Sequence, residues 1–203
     1  MVLYTTTQKS AYRVAFWKAV DQSSSLPRSA RVAVVLEDTG LEVEYLISLG
    51  YSPDSIIAVN RSAAKLAHVT RRLDRLGLPR VKTVSGDFVR VVECLPGRLD
   101  VVNFDTCNAL GKKLLSDFLR LTGRCRVIGL NVVAAHTYDC DNARIHAVFL
   151  AARQANALTV RWGKYVNPCG SGRTPMLWFC IKRGSCSRNH QPVQATKVIR
   201  CRQ

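Results

Sequence analysis

Acidic side chains are scarce in this chain. Its 203 residues carry 14 Asp and Glu against 30 Lys and Arg, giving a net charge of +16 and a pI near 10.0. That imbalance favours a polyanionic partner through long-range attraction and counterion release, with nucleic acid as the first candidate and an acidic protein as the alternative. Long apolar runs are lacking as well. No stretch approaches the ~20 residues that span a bilayer, and the opening MVLYTTTQKS has no apolar signal core, so no membrane association is expected. Dense cysteine spacing is also missing. Eight cysteines scattered along the chain do not form a disulfide framework, and reduced thiols in a soluble, cytoplasmic protein are expected. A hydrophobic content of 47% in 22.6 kDa excludes general disorder and suffices for one domain with a sizeable core.

What is present is an order of elements. Apolar runs at Arg31–Glu37, Ser55–Asn60, Val81–Gly86, Leu99–Asp105 and Arg126–Val133 read as strands, followed by Leu158–Asn167 and Pro175–Arg183 as an antiparallel pair. Unbroken Val, Ile and Leu without polar alternation suits strands buried on both faces. The spacing therefore predicts an α/β fold: an open, mostly parallel seven-stranded sheet with helices on both faces and a C-terminal antiparallel hairpin. Arg61–Leu76 reads as a helix with Leu66, Val69, Leu73 and Leu76 on its packing side, ended by Gly77 and Pro79. Leu110, Leu114, Phe118 and Leu121 form a second stripe. Ile145, Val148, Phe149 and Ala152 form a third, behind a possible cap at Asp141. Residues 1–27 read as an extension with a short helix at Tyr12–Val20 and a linker, residues 28–184 as the α/β domain, and residues 185–203 as a basic, polar tail.

Open α/β sheets bind ligands at the carboxyl ends of their strands. The first such turn holds Glu37, Asp38, Glu42 and Glu44 around Gly40, with neither G-x-G-x-x-G nor G-x-x-x-x-G-K-[ST]. A cluster of carboxylates repels the phosphates of NAD or ATP and welcomes a ligand bearing a sulfonium and an ammonium, such as S-adenosylmethionine. Stabilisation by the helix macrodipole accounts for some of these acids.

Here the chain resembles the class I S-adenosylmethionine-dependent methyltransferases, from about Arg31 to Arg183 and above all in the closing strand pair VRWGKYVNPCGSGRTPMLWFCIKR. The resemblance implies cofactor contacts from Glu37, Asp38 and Gly40 after the first strand. It implies ribose contacts at the end of the second strand, where Asn60 replaces the usual acid, and adenine contacts from Asp87 and Phe88 after the third. The family's first loop usually has two or three glycines, and this one has Gly40 alone. Strand four ends NFDTCN, without the Asp/Asn-Pro-Pro-aromatic motif of amino-group methyltransferases.

Asn103 and Asp105 are the candidate catalytic positions, and Asp105 or Asn108 is alternatively a helix cap. Cys107 lacks the Pro-Cys context of a nucleophile, and His136 reads as a loop residue. Cys180, Cys186, His190 and Cys201 lack the paired spacing of a zinc site, so no metal is expected. Lys65, Arg71, Arg72 and Arg75 on one helix, with Lys164 and Arg173 in the hairpin, are the candidate nucleic-acid contacts. Trp162 and Trp178 are either stacking platforms or core. The implied function is S-adenosylmethionine-dependent methyl transfer to nucleic acid. The alternative is a degenerate member of the fold that only binds nucleic acid or another partner.

Overall fold

The computed structural model describes residues 7–37, 39–134, 138–169, 172–184 and 194–195. In chain order the elements are α1 (Thr7–Ser23), β1 (Val32–Val35), α2 (Leu41–Ser48), β2 (Ile56–Asn60), α3 (Ala63–Arg75), β3 (Lys82–Ser85), α4 (Phe88–Cys94), β4 (Leu99–Ala109), α5 (Lys112–Thr122), β5 (Cys125–Val133), α6 (Tyr138–Gln154), β6 (Ala157–Cys169), β7 (Gly172–Arg183) and β8 (Gln194–Ala195). They build one sheet in the order β3-β2-β1-β4-β5-β7-β6-β8. Pairing is parallel from β3 across to β5, and β7 runs antiparallel to both β5 and β6.

The sheet has eight strands, not the seven expected. The extra one is a two-residue pairing of Gln194–Ala195 with Thr159 and Val160, too short to leave a periodic signal in a polar segment.

Strand side chains alternate between two cores. Val32 and Val34 pack with α1, α2 and α3, whereas Ala33, Val102 and Ile128 pack with α4, α5 and α6. Both faces are thus covered, which is why the strands read as unbroken apolar runs. On α1, Tyr12, Phe16, Trp17 and Val20 fall at helical spacing and are all at most 1% exposed. The helix is longer than expected and belongs to the core of the sheet. Its apolar stripe is interrupted in sequence by Arg13, which is also buried.

Some local expectations are corrected. Ser62 caps α3 by accepting from the Lys65 N–H at 3.3 Å, and Leu76 sits past the last helical residue, 51% exposed instead of packed. The start of α5 is marked by Gly111, so neither Asp105 nor Asn108 is its cap. Instead β4 continues to Ala109 through an irregularity between Asp105 and Asn108. Asp141 lies inside α6 and takes an ion pair from Lys164 at 2.6 Å. No helix among the described residues is long and apolar enough to cross a membrane.

Candidate active site

A cavity of about 530 Å³ opens where β1, β2, β3 and β4 reach their carboxyl ends. Its lining includes Asn60, Arg61, Asp87, Phe88, Phe104 and Asp105. The volume lies in the ~300–1,000 Å³ range of small-molecule sites, and the place is where a parallel sheet presents ligands. Phe88 and Phe104 stack at 5.6 Å with planes 9° apart, giving the crevice an apolar surface.

The polar groups of this crevice are partly engaged already. The Asn60 amide donates to the Leu36 carbonyl at 2.6 Å, and its Oδ1 accepts from the Ser62 N–H at 2.8 Å, tying the end of β1 to the start of α3. One amide N–H and one lone pair remain for a ligand. Asp87 caps α4 by accepting from the Arg90 N–H at 3.1 Å and pairs with Arg61. Burial works against its ionisation, but the Arg61 guanidinium and the Arg90 N–H prevail and hold its carboxyl below the usual range.

The turn from β1 to α2 is organised differently from the sequence expectation. Arg13 of α1 reaches into it, donating from Nε to Glu42 at 2.9 Å and pairing through Nη2 with Glu37, while Arg72 pairs with Glu44 at 2.7 Å. Three of the four acids therefore answer arginines within the chain, and the fourth, Asp38, lies outside the described residues. Neutralisation by Arg13 and Arg72 reduces the excess negative charge on which the exclusion of phosphate ligands rests. Gly40 opens α2 in the left-handed region at φ +71°, and a Cβ there would meet Val69 Cγ1 at 2.8 Å, so glycine lets α2 pack close to α3. Glu37 and Gly40 are not among the residues lining the cavity.

Beneath α1 lies a buried polar layer that sequence reasoning missed. Asn103, 1% exposed, donates to Glu42 at 2.9 Å and accepts from the Tyr12 hydroxyl at 3.2 Å, and Trp17 Nε1 donates to Glu42 at 2.8 Å. Burial raises the Glu42 carboxyl despite Arg13 and Trp17, and burial with the Asp105 and Glu42 charges raises the Tyr12 phenol. Asn131 of β5 donates to Asp105 Oδ1 at 2.9 Å and to the Tyr165 hydroxyl at 2.7 Å. The Tyr12 and Tyr165 rings stack at 5.2 Å. Asp105 thus stands in the crevice lining while Asn103, two residues earlier, lies in the layer below. The signal was an Asn within each of two apolar runs, VVNFD and IGLNVV, since a polar group on a buried strand needs a partner.

The candidate nucleic-acid residues divide. Lys65, Arg71 and Arg75 are exposed on α3, and Arg72 is partly taken by Glu44. Lys164 is exposed on β6 and paired with Asp141. The side chains of Arg173 and Cys107 lie outside the described residues, as do His136, Gly170, Ser171, Cys186, His190 and Cys201. Cys180 is buried, its thiol pushed up to about 12 by desolvation, and no group of metal-ligating side chains occurs among the described residues. Trp178 is fully buried and Trp162 packs against the core, so Trp178 is a core residue.

The fold has counterparts among solved structures despite low identity. A protein of Pyrococcus horikoshii assigned as an RNA methyltransferase matches at 16% identity and TM-score 0.61, over 86% of this chain and 84% of that one. The fold is that of the class I methyltransferases. An S-adenosylmethionine-dependent methyltransferase of Agrobacterium tumefaciens matches at 11% identity and TM-score 0.62, over 90% of this chain and 64% of that one. An rRNA methylase of Streptococcus thermophilus matches at 14% identity and TM-score 0.54, over 82% and 95%. No family model and no curated protein matches the sequence.

Proposed function

We propose that the chain binds S-adenosylmethionine in the crevice and directs its methyl group onto RNA. The observation that carries this is the meeting of Asn60, Asp87, Phe88 and Asp105, from the ends of separate strands, in a single cavity of about 530 Å³. The residues fit an adenosyl group. Asn60 and Asp87 retain acceptor capacity for hydroxyl and amino donors, and Phe88 beside Phe104 offers apolar surface to a flat ring. Bound there, the cofactor supplies an electrophilic methyl group. The chain's own contribution is position. Asp105 is oriented by Asn131 and would accept a hydrogen bond, or a proton, from the group to be methylated.

RNA is the substrate class that the surroundings favour. Two of the structural counterparts are RNA methyltransferases by description, and the exposed Lys65, Arg71 and Arg75 extend along α3, which begins beside the crevice after Arg61. Such contacts would hold the phosphate backbone without reading sequence.

Calorimetric titration with S-adenosylmethionine, with tritiated methyl incorporation into total cellular RNA, tests the proposal. Binding should be measurable, Asp87→Ala should weaken it, and Asp105→Ala should abolish incorporation while leaving cofactor affinity within about twofold. Lack of binding at millimolar ligand, or wild-type incorporation no higher than a heat-killed control, would leave the chain as a binding module that has kept the fold.

A further inference from the structure

The end of the sheet opposite the crevice gathers arginines. Arg31 immediately precedes β1, Arg98 precedes β4, Arg124 precedes β5, Arg126 is the second residue of β5, and Arg183 closes the antiparallel β7. These four strands are neighbours in the order β1-β4-β5-β7, so the topology sets five guanidinium-bearing residues along one edge. At about 4.8 Å per strand that edge is roughly 15 Å long, and the seven residues from Leu99 to Asp105 put it about 20 Å from the crevice.

What holds these side chains matters more than their number. Arg31 Nη1 donates to the Pro96 carbonyl at 2.8 Å, Arg98 Nη2 to the Cys125 carbonyl at 2.9 Å, Arg124 Nη2 to the Gly97 carbonyl at 3.0 Å, and Arg183 Nε to the Ala155 carbonyl at 3.0 Å. Carbonyls are neutral acceptors, so these bonds fix the guanidiniums in place and leave their charge standing. Among the described residues, the ion pair made by this group is Arg126 with Asp100, at 3.5 Å. Each arginine has five N–H donors and uses one or a few of them internally. A surface charge normally keeps its mobility or loses its field to a nearby carboxylate. Four of the five, Arg31, Arg98, Arg124 and Arg183, give up the first, and among the described residues they make no ion pair, an arrangement suited to planar, multidentate recognition of phosphate.

We infer that this arginine edge is a second nucleic-acid contact, one that grips the phosphate backbone independently of sequence and lies apart from the α3 surface proposed above. A nucleic-acid backbone supplies several negative charges over roughly 15 Å, matching the run of guanidiniums in length and sign. The inference shares with the proposed function the premise that RNA is the partner. Its own content is the place of contact and a consequence for substrate length. An RNA that reaches both the crevice and this edge is held at two sites and binds more tightly than one that reaches either alone.

Fluorescence anisotropy with a labelled 30-nucleotide RNA over a salt series separates the possibilities. Arg98→Ala/Arg126→Ala removes the two most exposed members. It should weaken binding and lower the slope of log K against log salt by about 1.4, since each single-strand phosphate contact contributes about 0.7. Arg98→Lys/Arg126→Lys, which keeps the charges, should recover most of that slope. An unchanged slope in the alanine variant, with Arg71→Ala/Arg75→Ala lowering it, overturns this inference and leaves the proposed function intact. No RNA binding by wild type at low salt overturns both. Phenylglyoxal modification of the wild-type protein gives a readout that does not depend on any variant folding. RNA should protect Arg98 and Arg126 severalfold. Equal modification with and without RNA, or protection by poly-glutamate and not by RNA, refutes the contact.

Discussion

Arg13→Met should be among the most damaging single substitutions in the chain. The Arg13 side chain is 3% exposed and its partners Glu42 and Glu37 are 7% and 13% exposed, so the change strips the counter-charge from carboxylates that water reaches poorly. Breaking a buried pair from one side costs about 3–5 kcal/mol. At about 2–4 °C per kcal/mol for a domain of this size, the melting temperature should fall by about 6–20 °C. The pH dependence supplies a second, sharper test. Burial already raises the Glu42 carboxyl above its ordinary value, and Arg13 is the principal group opposing that rise. Without Arg13 the folded-state pKa climbs further. A carboxyl whose folded pKa lies above its unfolded value costs nothing while both states are protonated, and its penalty grows as pH rises through the gap. The deficit of Arg13→Met relative to wild type should therefore be smaller at pH 5 than at pH 8, measured by urea unfolding followed by circular dichroism. Arg13→Met/Glu42→Gln keeps an acceptor for Trp17 and Asn103 without a charge, and should regain more than about 1 kcal/mol over the single variant at pH 8. A loss below about 1 kcal/mol, a deficit that does not change with pH, or no recovery in the double variant would refute the account of Arg13 as the counter-ion of this turn.

Gly129→Ala should destabilise by about 1–3 kcal/mol through overpacking, because its Cβ would lie 2.4 Å from Phe16 Cζ and 2.8 Å from Asn103 Oδ1. Denaturant titration checks this, and near-wild-type stability would mean that α1 can lift from β5. Asp87→Asn should flatten the acid limb of the stability curve. The lowered Asp87 carboxyl contributes stability that is present above its unfolded value and lost as pH falls through its folded one, so wild type should lose more than the variant between about pH 4 and pH 2. Equal losses in the two proteins would show that the Arg61 and Arg90 contacts do not bias the ionisation of Asp87.

Much of the sheet is legible because burial on both faces forces long apolar runs, and β2, β5 and the β6–β7 pair lie within a few residues of their expected limits. The helices follow from stripes such as Leu114, Phe118 and Leu121, all buried. Where the sequence is opaque, two interactions compete for the same residue. Tyr12–Val20 reads as a short amphipathic helix of an N-terminal extension, and nothing in its own sequence shows that Arg13 is buried against the carboxylates of a distant turn. Glu37, Glu42 and Glu44 invite a cationic ligand, and among the described residues Arg13 and Arg72 pair with them. Composition reveals an excess of like charges but not which long-range partner answers it. At the end of β2, where an acid is usual in the family, stands Asn60 with its amide tied into the main chain, a commitment visible only once β1, β2 and α3 are assembled.

The proposed chemistry depends most on Asp105, whose setting follows from the register of β4. Residues 103 and 105 hold regular register with Gly129 and Asn131, so they share one face and both turn toward the layer beneath α1. Asn103 does so, spending its amide on Glu42 and its carbonyl on Tyr12. The pairing of β4 with β5 shifts between Asp105 and Asn108, and there the chain departs from strict alternation. Asp105, the last residue before that shift, lines the crevice, while Asn131, its register partner on β5, remains fully buried with its amide reaching back to that carboxylate and to Tyr165. Asp105 thus joins the buried polar layer to the open cavity, and Asn131 holds its carboxylate at that junction. Under the proposed methyl transfer, truncating Asn131 should blur the orientation of Asp105 and lower turnover more than cofactor affinity, whereas truncating Asn103 should act through stability.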